Sequence, residues 1–82
     1  MHESGVIEEL LNKVAEAARA NSASKVVAVD VSIGALAAIE PDHLREHFDI
    51  AAVGTVAEGA KLRVRVLEEP GGMLLESVEI ET

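Results

Sequence analysis

The sequence predicts an α+β fold, two helices packed on one face of a three-stranded sheet in the order α-β-α-β-β. Three observations predict it. Apolar residues recur at spacings of three and four over residues 4–20 and again after Pro41. They alternate with polar residues over residues 25–33, 61–67 and 73–81. Each segment therefore has one apolar face, and helices and strands must cover one another to bury those faces.

In the first segment Val6, Ile7, Leu10, Leu11, Val14 and Ala18 make the apolar stripe. Glu8, Glu9, Asn12, Lys13, Glu16 and Arg19 face outward, with the acids near the start suited to the positive end of the helix dipole. Ser4 is the expected N-cap, and Asn21-Ser22 the stop. The strand 25–33 sets Val27, Val29, Val31 and Ile33 inward against Ala28, Asp30 and Ser32. Gly34 ends it, and residues 34–39 form a connecting turn apolar enough to lie on the core.

Glu40-Pro41 opens the second helix, because proline at the first helical position lacks only an N–H that would be unpaired anyway. Leu44, Phe48, Ala51 and Ala52 form its stripe, and Gly54 stops it. The strand 61–67 points Leu62, Val64 and Val66 one way, and Lys61, Arg63 and Arg65 the other. A turn over 68–72 leads to the last strand, read as the second arm of a hairpin. That register sets Leu62 by Ile80, Val64 by Val78, Arg63 by Glu79 and Lys61 by Glu81, so the basic row reads as charge pairing within the sheet.

The totals bound the function. Eighty-two residues make one small domain. The absence of cysteine excludes a disulfide framework and a thiolate zinc site. Fifteen acids against seven bases give a net charge of −8, which repels phosphate backbones and argues against nucleic acid as a partner. No apolar run spans a membrane and no signal peptide is evident, so the chain is expected to be soluble and cytoplasmic. No serine lies in a Gly-x-Ser-x-Gly turn and no glycine loop cradles phosphate, so no enzyme is expected.

Two places could carry metal chemistry. His2 is too large for the aminopeptidase that removes an initiator methionine, so Met1 is expected to stay. Met1-His2-Glu3 then brings an α-amine, two amides and an imidazole within a few bonds, a nitrogen-rich set suited to square-planar Ni(II) or Cu(II). His43 and His47 lie four apart on the second helix. A zinc-protease helix needs Glu directly after the first His, where Leu44 stands, so the pair reads as boundary and surface residues. Glu40 reads, on spacing alone, as a helix-start acid.

Taken in order, Met1-His2-Glu3, Ile33-Gly34-Ala35-Leu36, Ile39-Glu40-Pro41, Leu44, Phe48, Gly54-Thr55, Glu58-Gly59-Ala60-Lys61-Leu62 and Leu75-Glu76-Ser77-Val78-Glu79 resemble the HypA/HybF family of hydrogenase and urease nickel-incorporation proteins. The resemblance implies a nickel metallochaperone that binds Ni(II) through Met1, His2 and the amide of Glu3, with the carboxylate of Glu40 close by. It implies delivery of nickel to a GTPase accessory protein and on to the hydrogenase large subunit, or to a urease accessory protein. Family members carry a four-cysteine zinc domain between the last two strands. Here residues 68–72 stand in its place, so residues 1–82 are expected to be the nickel-binding domain alone, with no zinc site. The alternative is a protein-interaction or regulatory module that keeps the fold without delivering metal. Homodimerisation through the open sheet face or an edge strand is left open.

Overall fold

Strand β1 (Lys25–Ile33) is the centre around which the other elements are laid. In this computed structural model residues 3–82 are described, with backbone alone for Glu3 and Ser4; Met1 and His2 lie outside the described residues. Helix α1 (Glu3–Ala20) precedes β1, helix α2 (Pro41–Ala51) follows it, and strands β2 (Lys61–Val66) and β3 (Met73–Glu81) complete the chain. The α+β class and the element order are those the periodicities predict.

The strand order is β2-β1-β3, and this overturns the expected hairpin. β1 pairs parallel with β2 and antiparallel with β3, so the last two strands flank β1 and do not touch as neighbours. The reason lies in β1 itself. Six of its nine residues are buried, and a strand so apolar gains most from a hydrogen-bonded neighbour on each side. The parallel pair needs a long crossover, which residues 34–60 supply with α2 inside it. Glu81 accordingly faces Lys25, not Lys61.

A bulge corrects the inward row of β1. The register passes from Val26–Ile80 to Ala28–Glu79, leaving Val27 as an extra residue. Val27, expected inside, is 38% exposed, and Val26 takes the inward place at 0%. From Val29 onward Val29, Val31 and Ile33 are buried as predicted, but Ser32, expected on the wet face, is also buried, at 1%. A second shift, from Asp30–Ser77 to Val31–Leu75, leaves Glu76 unpaired in β3.

One core joins the covered face of the sheet to both helices. Ile7, Leu10, Val14 and Ala18 come from α1, and Leu44 and Phe48 from α2. Ala52, just past α2, is buried as expected, while Ala51, the other alanine of the expected stripe, is exposed. Leu36 projects outward at 79% exposed, so the turn after β1 only partly lies on the core, through Ala37 and Ile39.

The helix ends follow from local chemistry. Ser4 lies inside α1, not at its cap. At the other end Ser22 adopts φ 53°, with its N–H bonded to the Arg19 carbonyl and the Ala23 N–H to that of Ala18, a left-handed stop that takes up the free carbonyls. Gly34 is required for a different reason. A Cβ there would stand 2.4 Å from the backbone of Gly71, so the strap between β2 and β3 can cross the end of β1 only over a bare glycine.

Candidate metal centre

Among the sequence-predicted ligands, Glu40 is the one whose side chain is described. It is the N-cap of α2, in an extended conformation (φ −87°, ψ 121°), with Pro41 behind it as the first helical residue. Its Oε2 accepts the His43 backbone N–H at 2.9 Å. Hydrogen bonds from the backbone N–H groups of His43 and Asp42 hold the Glu40 carboxyl below the usual glutamate range, so at neutral pH it is an exposed carboxylate. Capping thus accounts for the position of Glu40 and keeps it charged.

Met1 and His2 lie outside the described residues, and for Glu3 only the backbone at the start of α1 is described. What can be followed is the neighbourhood that α1 enters. Val6 and Leu10 line a groove together with Ala37, Ala38, Ile39 and Leu44. The groove has a volume of about 570 Å³ and its far wall is β3, through Met73 and Leu75. The first turns of α1 and the segment leading into Glu40 therefore border the same space. Ala38 has φ 53°, a left-handed conformation that bends the chain just before Ile39 and Glu40.

His43 and His47 are both exposed on α2, as surface residues. Among the described residues no group of three or more His, Cys, Asp or Glu side chains is assembled for a metal ion.

The open face of the sheet carries a charged network that the sequence reading caught in part. Arg63 donates through Nε and an Nη to both oxygens of Asp30, at 2.7 and 2.9 Å, and that Nη also reaches Glu79 at 2.6 Å. Ser77 Oγ donates to Asp30 at 2.7 Å, and Arg65 pairs with Glu76. The predicted Arg63–Glu79 pair is real but spans β1, with Asp30 between. Arg63 foremost and Ser77 next lower the Asp30 carboxyl to about 2. The signal for Asp30 is a single acid in the middle of β1, which the observed parallel register sets opposite Arg63.

A family model described as hydrogenase/urease nickel incorporation, metallochaperone, matches residues 1–71. The hydrogenase maturation factor HypA of Xanthobacter autotrophicus is 48% identical over 71 residues, which is 87% of this chain and 61% of that one. That of Azorhizobium caulinodans is 46% identical over 71 residues, with the same coverage of both chains. The chain thus spans about three fifths of the length of these curated relatives. The fold is similar to the solution structure of the Ni metallochaperone HypA from Helicobacter pylori, with TM-score 0.86 and 21% identity, covering 100% of this chain and 99% of that one. These proteins are metallochaperones and maturation factors, not enzymes. By the extent of the family match and the identity to its curated members, the chain belongs to the HypA family.

Proposed function

We propose that this chain carries Ni(II) as cargo for hydrogenase maturation, holding it at Met1, His2 and the Glu3 amide with Glu40 as a nearby carboxylate. The observation that supports this most is that the family match begins at residue 1 and runs through Glu40, taking in the whole donor set. The donors suit the ion. A free amine, an imidazole and deprotonated amides favour a square-planar d⁸ or d⁹ metal. An ionised Glu40 at the start of α2 adds a negative charge without a ring that would crowd the site. In this reading residues 1–82 act as the nickel-binding unit, with the strap over 68–72 in place of a zinc domain. The recipients are a GTPase accessory protein and the hydrogenase large subunit, in the cytoplasm; delivery toward urease is the variant of the same role. Among the described residues no helix is long and apolar enough to cross a membrane.

The test is a calorimetric titration of untagged protein with Ni(II), followed by its weak d–d absorption. Stoichiometric binding with a square-planar spectrum, strengthening as pH rises because amine, imidazole and amides must lose protons, is the expected outcome. His2→Ala, or added residues before Met1, should abolish it. Nickel affinity unchanged by both alterations would remove the site.

A second reading, an interaction module without metal delivery, is favoured by the open apolar groove between α1 and β3. It requires nickel binding no tighter than in His2→Ala, together with stable capture of a maturation partner.

A further inference from the structure

We propose that the free edge of β3, with the groove between β3 and α1, takes up an extended segment of a partner protein as a fourth strand, and that this segment alternates apolar with basic residues. This role is independent of nickel carriage and holds whether or not the N-terminal residues bind metal.

Among the described residues no strand pairs with the outer side of β3. Glu81 turns its carbonyl inward, to the Ser24 N–H at 2.9 Å. By the alternation of a strand, Ile80 and Val78 then turn their own N–H and C=O groups outward. The groove runs beside them. Its wide part, about 570 Å³, lies against Met73 and Leu75, and a narrower part, about 370 Å³, continues from Leu75 to Ile80. The narrower part touches Leu75, Glu76, Ser77 and Val78 in succession. Side chains of a strand alternate between faces, so a hollow that meets several residues in a row lies along the backbone edge. On the opposite wall Val6, Leu10, Lys13 and Ala17 recur at steps of three and four, one face of α1. An open strand edge beside a helix is a ready seat for one extended chain. The bulge at Glu76 interrupts the edge, so regular pairing is expected from Ser77 to Glu81.

The two faces of β3 set the chemistry of the occupant. Toward the groove it presents Met73, Leu75, Val78 and Ile80, half-buried against the core. Its other face carries Glu76, Glu79 and Glu81, all exposed. A strand laid alongside therefore meets apolar groups on one face and carboxylates on the other, which alternating Leu or Val and Lys or Arg satisfy. β2 is the fold's own example. Its Lys61, Arg63 and Arg65 alternate with Leu62, Val64 and Val66, and Arg63 and Arg65 reach Glu79 and Glu76. The same acids oppose a second copy, because pairing β3 with β3 would set carboxylates against carboxylates. The β2 edge of a second copy is also a poor donor, since its Leu62 carbonyl is already held by Arg45 at 3.3 Å.

The test uses the full chain with a chelator present, so that its result is independent of nickel. The probe is the capped peptide Lys-Leu-Arg-Val-Arg-Val, and its control is Glu-Leu-Glu-Val-Glu-Val. Amide signals and hydrogen exchange are followed by NMR as peptide is added. Shifts along β3 and the facing side of α1 are expected, with exchange at Val78 and Ile80 slowed about tenfold or more, and no such change with the acidic peptide. Ala17→Arg places a bulky cation in the narrow part and should weaken binding about tenfold, with folding checked by circular dichroism. Glu81→Lys, at an exposed position, serves if Ala17→Arg fails to fold and should weaken binding about threefold. Shifts centred on other elements, equal binding of both peptides, binding undiminished in these variants, or no response at millimolar peptide would overturn the proposal. So would the same protection arising in the protein alone as its concentration is raised, which would make a second copy the occupant.

Discussion

On the covered face of the sheet Val29, Val31, Leu44 and Phe48 are at most 1% exposed and belong to one apolar cluster. On the open face Asp30, Arg63, Ser77 and Glu79 meet through charged hydrogen bonds that stay in contact with water. The faces share the same three strands, yet they use different physics. Burial on the covered face supplies cohesion and is indifferent to which strand lies beside which. Directional bonds on the open face distinguish neighbours. Asp30 can hold Arg63 and Ser77 together only where β1 lies between β2 and β3. One layer therefore stabilises the fold, while the other helps select its topology.

The contrast can be broken most strongly from the covered side. Phe48 is the largest fully buried side chain and the sole aromatic residue of the sequence. Phe48→Ala should lower stability by about 3–5 kcal/mol, enough to unfold much of so small a domain, and chemical denaturation would show it. Gly34→Ala acts where the strap crosses β1. Because the Cβ would meet backbone and not a side-chain tip, a loss of roughly 2–3 kcal/mol is expected, with amide shifts concentrated in residues 67–73. A wild-type melting temperature in Gly34→Ala would mean that the strap can lift away without cost.

The open face gives the smallest effect, and its signature is pH. The Asp30 carboxyl is lowered in the folded protein to about 2 from an ordinary 3.8. Its stabilisation is present above the ordinary value and is lost as pH falls through the folded one. Between about pH 4 and pH 2 the wild type should lose stability more steeply than Asp30→Asn, as measured by urea midpoints across that window. Parallel curves for the two proteins would show that the network contributes nothing beyond solvated charges.

The sequence reading reached the helices and strands because their apolar residues repeat at periods that only those elements produce. It placed Ile7, Leu10, Val14, Leu44 and Phe48 in the core for that reason. It left the strand order open and misread β2 and β3 as a hairpin, because pairing partners leave no local trace. Arg63 and Glu79 fit a direct hairpin as well as a pair reaching across β1, and the tighter reading took the short turn at face value. Val27 failed because a bulge reverses the alternation for one step, and Val26-Val27 offers two equivalent valines to choose from. Glu40 was legible as a helix-start acid, and its capping bond bears that out. The ligand role of Met1, His2 and Glu3 rests on chemistry and family, since two of these residues lie outside the described structure and the third is described by backbone alone.

The strap from β2 to β3 carries a further consequence. It is pinned around the β1 terminus by Leu67 N–H to the Ile33 carbonyl at 2.8 Å, Ala35 N–H to the Glu69 carbonyl at 3.0 Å and Gly34 N–H to the Gly72 carbonyl at 3.1 Å. Between those ties the chain contributes little to the core, and the family match stops there, at residue 71. The exposed stretch between the ties is cheap to lengthen, since each doubling of a loop adds only about 0.6 kcal/mol of closure entropy. The fold is therefore built to accept insertions at this one point while α1, α2 and the sheet remain unchanged. Evolution can lengthen or shorten the strap without redesigning the domain that bears it.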